Sequence, residues 1–384
     1  MDDATMTDKA GHEIICQGRN FVVRRAGRFL LGELQGPHRV LSTSAHGGGQ
    51  NESVRYVVNH QSCEGAGHAA RQVLLGELGQ LGYHNQVCRE LGLPPDEVAL
   101  MGTAANMRYA VHRNESYEKL AVDAVVTAGV EGNAVRAGDP AHWVETDSGW
   151  QKLHAYAGTI NTMLFFNWPL TPAAQARAVV TMTEAKSAAL QELAVSSRYS
   201  EHLATGTGTD QYSIAAPLDT DRTPKESTSQ HGKLGEMIGR AVLGATKEAL
   251  RWQNGLEASY TRSIFHALSR FGLTRDRLLE RIAPLLSPQD LALLQQNDKA
   301  VFYDPQVAAC AYAFAAVLDR VNYGTLPSVL AREVLRQQAA NIASALAAKP
   351  DRWADYWRQL SVDEQNPAAV VVEALALGWK TKWS

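Results

Sequence analysis

The chain has 384 residues, 37 basic against 40 acidic side chains for a formal net charge of −3, and 45% hydrophobic residues. That length predicts about two domains at roughly 150 residues each, either able to bury a core. The near-neutral balance speaks against a general nucleic-acid binder, and the absence of an apolar run of about 18 residues speaks against a membrane span.

Met1-Asp2-Asp3-Ala4 is acidic and has no apolar signal core. Cys16, Cys63, Cys88 and Cys310 show no C-x-x-C spacing, which fits a reduced, cytoplasmic protein better than a disulfide or zinc scaffold.

In chain order, residues 21–25, 29–33 and 40–44 are short β-type runs split by Gly27 and Gly36-Pro37, and predict an opening meander. Residues 67–90 carry a helical pattern with Leu74, Leu78 and Leu81 on one side, weakened by Gly76, Gly79 and Gly82. Residues 98–103, 120–127 and 160–166 read as buried strands. Thr171-Pro172 starts a helix running to about Leu193, since threonine can cap and proline suits the first turn. A short strand at 212–216 follows, then a polar loop at 218–230. Leu234, Ile238, Val242, Ala245 and Ala249 recur at helical spacing until Asn254-Gly255 stops the helix.

Beyond that point nearly everything reads as helix. Ser287-Pro288 and Asp304-Pro305 are starts, Asn322-Tyr323-Gly324 and Lys349-Pro350 are stops, and Leu330, Val334, Ile342 and Leu346 mark an apolar stripe. The expected fold class is therefore α+β: a layered mixed β-sheet domain with packed helices over 1–254, followed by an all-α C-terminal region over 255–384.

H-E-x-x-H, the P-loop, G-x-S-x-G and a G-x-G-x-x-G after a strand are all missing, which removes the main support for a zinc protease, a P-loop nucleotidase, an α/β-hydrolase or a Rossmann dehydrogenase. What remains is a set of polar residues beside glycines at strand ends. In Ser42-Thr43-Ser44-Ala45-His46-Gly47-Gly48-Gly49, the glycines let a backbone approach a ligand and offer N–H donors; a flexible loop is the plainer alternative. Thr103 and Thr127 stand where strands stop, with Asn133 beyond; each also suits an ordinary turn. Thr205-Gly206-Thr207-Gly208-Thr209-Asp210 has the composition of a binding loop rather than a linker. His231, near Lys233 and Glu236, opens a helix whose N-terminus favours anions, or is an ordinary solvated first turn. Cys63 could pair with His60 or His68 as a nucleophile, but a buried structural thiol is the commoner case. Glu184 and Lys186 read as a surface charge pair.

Taken together, these segments resemble the CbiZ family of adenosylcobinamide amidohydrolases. The likeness rests on an ordered set: Leu41 through Gly49, Asn59-His60, Gly102-Thr103-Ala104-Ala105, Thr127-Ala128-Gly129 with Asn133-Ala134 and Ala137-Gly138-Asp139, Thr159-Ile160-Asn161, Thr183 through Leu193, Arg198-Tyr199-Ser200, Ala204 through Asp210, and Lys233 through Gly239. It covers about residues 20–250. It departs at 61–67 and in the helical tail.

The resemblance implies hydrolysis of the amide joining a corrin propionate to aminopropanol, giving adenosylcobyric acid. Asp210 and Glu236 are candidate bases, and His60 and His231 candidate acid/base groups. Substrate contacts are expected from Ser42, Ser44, His46, Gly48, Gly49, Asn59, Thr103, Thr127, Asn133, Asn161, Thr205, Thr207 and Thr209, because a large amide-rimmed corrin needs many hydroxyl and amide partners. The 204–210 loop and the His231 helix start flank the strand at 212–216 and are expected to share one cleft. No Asp-x-His-x-x-Gly cobalamin motif occurs, so the corrinoid is expected as substrate rather than cofactor; no other cofactor and no metal site is identified. The expected partners are the corrinoid and, through the helical tail, a second copy of the chain. A corrinoid-binding protein without hydrolysis, or a hydrolase of a related corrinoid amide, is the alternative.

Overall fold

The computed structural model describes residues 7–8, 11–63, 68–141, 143–147, 149–152, 158–219 and 221–383. The chain divides into two compact units: Met1–Tyr199 with Leu203–Leu256, and Ser200–His202 with Glu257–Ser384.

The first unit runs β1 (Glu13–Gln17), β2 (Phe21–Ala26), β3 (Phe29–Leu34), β4 (His38–Ser42), β5 (Gly49–Asn51), β6 (Tyr56–Gln61), α1 (His68–Leu91), β7 (Val98–Thr103), β8 (Val111–Tyr117), β9 (Leu120–Ala128), β10 (Ala134–Val135), β11 (Trp143–Thr146), β12 (Gly149–Lys152), β13 (Ile160–Phe166), α2 (Pro172–Glu192), β14 (Gly206–Thr207), β15 (Gln211–Pro217) and α3 (Lys233–Asn254). Two sheets dominate, one of five strands in the order β1-β2-β3-β6-β7 and one of six in the order β5-β4-β15-β13-β9-β8. Each sheet has one parallel pair, β6 with β7 and β13 with β15. Parallel neighbours need a crossover, which α1 and α2 supply.

The sequence separates these layers by side-chain parity. Val23, Leu30, Val57, Ala99 and Met101 of the five-stranded sheet meet Val40, Val125, Met163, Phe165 and Ala215 of the six-stranded sheet. Alternate residues face outward: Phe29, Val58, Val98 and Leu100 pack against Val87 and Cys88 of α1. On the other side Val122, Ala124, Leu164, Phe166, Ile214 and Ala216 pack against α2 and α3. The result is four layers, helix–sheet–sheet–helix, the period-2 alternation giving each sheet two apolar faces.

Several sequence expectations change. Residues 38–42 do not continue the opening meander; β4 leaves the β2–β3 pair and joins the other sheet beside β15. The leucine stripe of α1 does not face the core, for Leu78 and Leu81 are 37% and 53% exposed; Leu74 lies outside the described side chains. Gly79 has φ 65°, so the helix kinks and one stripe cannot run through both halves. The start of α2 follows the expected chemistry, with Thr171 Oγ1 accepting from Ala174 N at 3.2 Å. Gly255 ends α3 in the left-handed conformation, which glycine adopts at no steric cost.

From Lys233 onward every described element is helical. The second unit holds α4 (Ala258–Thr261), α5 (Ile264–Leu268), α6 (Arg275–Ile282), α7 (Pro288–Gln296), α8 (Asp298–Phe302), α9 (Pro305–Asn322), α10 (Ser328–Ala347), α11 (Trp353–Gln359) and α12 (Ala369–Lys382). Its core is apolar, centred on Phe302, Phe314, Ile342, Val371 and Leu375. Within α10 the inward line is Leu335, Ala339, Ile342 and Leu346, whereas Leu330 is 51% exposed. No helix among the described residues is long and apolar enough to cross a membrane.

Candidate functional site

The inward-facing strand positions change character at one end of the sandwich. Along β13 they read Phe165, Met163 and then Asn161; along β9, Val125 and then Thr127; along β6, Val57 and then Asn59. Along β7 they read Ala99, Met101 and then Thr103; along β15, Ala215, Ser213 and Gln211; along β4, Val40 and then Ser42. Registry brings these polar ends together, Asn161 opposite Thr127 and Gln211, and Ser213 opposite Ser42.

Their hydrogen bonds form a directed chain. Asn161 Nδ2 donates to Asn59 Oδ1 at 2.8 Å and to Gly102 O at 3.2 Å. Asn59 Nδ2 donates to Thr127 Oγ1 at 2.8 Å. Two acceptors thus fix the Asn161 amide, and its Oδ1 has no partner among the described residues although the side chain is fully buried. An unsatisfied buried acceptor is uncommon. The free edge of β7 is closed by side chains from the other sheet. Gln211 Oε1 accepts from Gly102 N at 2.8 Å, and Ser44 Oγ from Leu100 N at 3.0 Å. Ser42 and Ser213 hydroxyls lie 2.9 Å apart.

On the outward face of the same sheet end, toward α2, the 205–210 loop is tied into a knot. Asp210 accepts from Lys186 Nζ and Thr207 Oγ1, both at 2.5 Å, and from the amides of Thr207 and Ile160, both at 3.1 Å. Thr209 and Thr159 hydroxyls lie 2.6 Å apart. Fully buried Asn133 donates to Gly158 O at 3.0 Å, and Tyr199 donates to Asn133 at 3.4 Å. Thr205 Oγ1 accepts from Ala137 N at 2.9 Å. The loop is therefore built into the sheet end, pairing with residues 134–135 as β14 does with β10.

The remaining candidates separate from these two groups. His60 reaches the right end of β6 but the wrong face. Alternation turns it away from Asn59 and under α1, 1% exposed, stacked on Phe29 with its Nδ1 2.6 Å from the Tyr83 hydroxyl. His231 is exposed before the start of α3. The far end of that helix reaches the polar sheet end, where Asn254 Oδ1 accepts from Val130 N and Gln253 Oε1 from Asn106 N. His231 precedes the other end of that helix, and among the described residues no hydrogen bond or ion pair joins it to Asp210, although its neighbour Gln230 bonds Glu184 on the same helix as Lys186. Glu236 lies in the solvated first turn between Lys233 and Arg240, and those cations hold its carboxyl below the usual range. It has the surroundings of a surface ion pair rather than a base.

Gly48 closes the turn joining β4 to β5, and Gly49 is the first residue of β5, paired with Ser42. A Cβ at Gly48 would lie 2.0 Å from Ser44 O, so only glycine fits there. His46 of that turn lies 3.4 Å from Asp96, away from the inward ribbon. Cys63 is half-buried rather than buried, and the side chain of His68 lies outside the described residues. All four cysteines are free, with burial pushing the Cys16 and Cys88 thiols up.

The residue-by-residue reading of the sequence missed Gln211, Ser213 and Tyr199, and took Lys186 for a surface charge. The available pattern was Gln211 and Ser213 at i and i+2, polar on the face that continues as apolar Ala215.

A family model described as CbiZ, adenosylcobinamide amidohydrolase, matches residues 15–258. An uncharacterised protein of Methanocaldococcus jannaschii is 37% identical over 184 residues, covering 46% of this chain and 71% of that protein. A crystal structure of a Pyrococcus horikoshii protein shares 10% identity over 64% of this chain and 88% of its own, at a TM-score of 0.29, too slight a likeness to bear on the fold. With the family model matched across more than half of its length, the chain belongs to the CbiZ family, the adenosylcobinamide amidohydrolases.

Proposed function

We propose that the first unit hydrolyses the amide between the corrin propionate and aminopropanol of adenosylcobinamide, releasing adenosylcobyric acid. The observation that carries this reading is the family match over 15–258, a span that holds the polar end of the sandwich. A corrin is rimmed by amides, and the partly exposed Thr205, Thr209 and Gln211 side chains supply complementary donors and acceptors beside the buried Asn59–Thr127–Asn161 chain that holds this sheet end in place.

Amide hydrolysis needs an activated water, a donor for the oxyanion and a proton for the departing amine. Asp210 with Lys186 is the charged pair built into this sheet end, and the proposal assigns proton handling to it. Substrate contacts go to the buried hydroxyls and amides around it. The second unit contributes no reacting group in this reading.

The test is incubation of the full chain with adenosylcobinamide, followed by mass spectrometry for adenosylcobyric acid. Product formation supports the assignment. Saturable corrinoid binding without product across pH and added divalent metals would replace it with a binding protein.

A further inference from the structure

A second feature of the first unit lies beside the polar ribbon and is not used by the proposed reaction. A cleft of about 810 Å³ is lined by Gly11, Glu13, Arg25, Gly27, Arg28, Gln61, Asn106 and Arg108. Three guanidinium groups line it, two of them ion-paired, Arg25 with Glu13 and Arg28 with Glu90, and the third, Arg108, without an ion pair among the described residues. From this arrangement we propose that the cleft is a binding site for a phosphate group, carried on a small organic ester or free.

Glu13, the carboxylate among the described lining residues, is already ion-paired with Arg25 Nη2. Arg25 Nη1 is steadied by the carbonyls of Met107 and Arg108 at 3.4 and 3.3 Å. Arg28 gives its Nε and Nη2 to Glu90, which leaves its Nη1. Arg108 is exposed and has no ion pair among the described residues. Asn106 uses its Oδ1 to accept from Arg108 N at 2.9 Å, which turns its Nδ2 into the remaining side-chain group. The uncommitted side-chain capacity of Arg28, Asn106 and Arg108 consists of donors, with two of the three cationic.

A ligand that satisfies them must be rich in acceptors and negative. Guanidinium groups pair with tetrahedral oxyanions through two parallel N–H donors, which a single ammonium cannot match. The local backbone holds these donors in place. The short 3-10 turn Met107–Tyr109 is capped by Asn106, and Asn106 N is itself bound by Gln253 Oε1 at 2.9 Å. Gly11 and Gly27, also in the lining, adopt φ of +80° and +57° and add no side chain to the cleft.

The test is isothermal titration of the full chain with inorganic phosphate, with O-phosphoethanolamine and with ethanolamine. Saturable binding of a phosphate compound that weakens with added salt, with none for ethanolamine, is expected. A phosphate ester that binds at least about tenfold more tightly than inorganic phosphate identifies an organic ester as the ligand, and equal binding identifies the free ion. Arg108→Ala and the milder Arg108→Gln should each weaken phosphate binding about tenfold without changing the folded spectrum. Absence of saturation up to about 10 mM, equal binding of ethanolamine, or unchanged affinity in both Arg108 variants would overturn the proposal. The readout is binding, so a failure to hydrolyse adenosylcobinamide would leave this result intact.

Discussion

The two units differ in what they bury. The first unit takes His38, Ser42, Asn59, His60, His84, Asp123, Asn133, Asn161, Thr162 and many other polar side chains out of water, whereas among the described residues the second buries few, chiefly Ser263 and the Arg270 side chain paired with Asp319. The helical core of the second unit is aliphatic and aromatic, with Phe314, Ile342 and Val371 all fully buried. A buried polar group stabilises little even when paired and destabilises strongly when it loses its partner. The first unit therefore carries a concentration of groups that packing alone does not require. Of these, Ser42, Asn59 and Asn161, with Thr127 and Ser213, gather at one end of the sheet–sheet interface, the pattern expected of a site, whereas His38, Asp123, His60 and His84 lie elsewhere in the unit.

Four experiments can break or sharpen that contrast. The largest effect is expected in the apolar unit. Phe314→Ala should cost about 3–5 kcal/mol in the unfolding transition of the second unit, followed in urea, because it empties a close-packed position. Hydrolysis per folded molecule should be kept. If it disappeared while the second unit remained folded, the assignment of chemistry to the first unit would fail.

In the polar region, Asn161→Leu removes the donor to Asn59 Oδ1 and Gly102 O. A stability loss of about 1–3 kcal/mol is expected from the orphaned acceptors. Hydrolysis should fall by about a hundredfold, because the adjacent Ile160 N–H positions Asp210 and a small misplacement at a reacting group has that scale. Full activity at normal stability would show the ribbon to be structural.

A smaller change separates local from tertiary effects. Thr171→Ala removes the hydroxyl that caps α2 and should cost about 1 kcal/mol by thermal denaturation, with the polar ribbon undisturbed.

The smallest effect is a pH dependence confined to the first unit. Burial lowers the pKa of His38 and of His84 below the ordinary 6.5. The unfolded chain then binds protons more readily than the native one, so the contribution to stability is complete above about 6.5 and is lost as pH falls from there toward the lowered native values. Urea midpoints between pH 7.5 and 5 should decline for the first unit, and His38→Gln should flatten the decline. A midpoint that rose on acidification would reverse the assignment.

Local chemistry was readable from the residues. Thr171-Pro172, Ser287-Pro288 and Asp304-Pro305 each start a helix, with Ser287 and Asp304 side chains accepting from backbone amides as Thr171 does. Asn254-Gly255 ends one because a left-handed residue must follow. The edge strand Val111–Tyr117 was missed, since one whose residues are mostly exposed has little apolar alternation to announce it.

The ordered motif set was enough to identify the family, and the capping and turn residues were enough to set most helix limits. Those properties depend on neighbours within a few positions of sequence. Assembly of the site was decided elsewhere. Asn59 and His60 are adjacent in the chain, yet strand parity places one in the ribbon and the other beneath α1. Lys186 and Asp210 are 24 positions apart, and the α2 crossover brings them to 2.5 Å. His231 follows Asp210 by a short strand and loop, and the same layered arrangement puts it at the other end of α3. Side-chain direction and sheet order are properties of the packed layers, because only burial of both faces of each sheet determines which residues can meet.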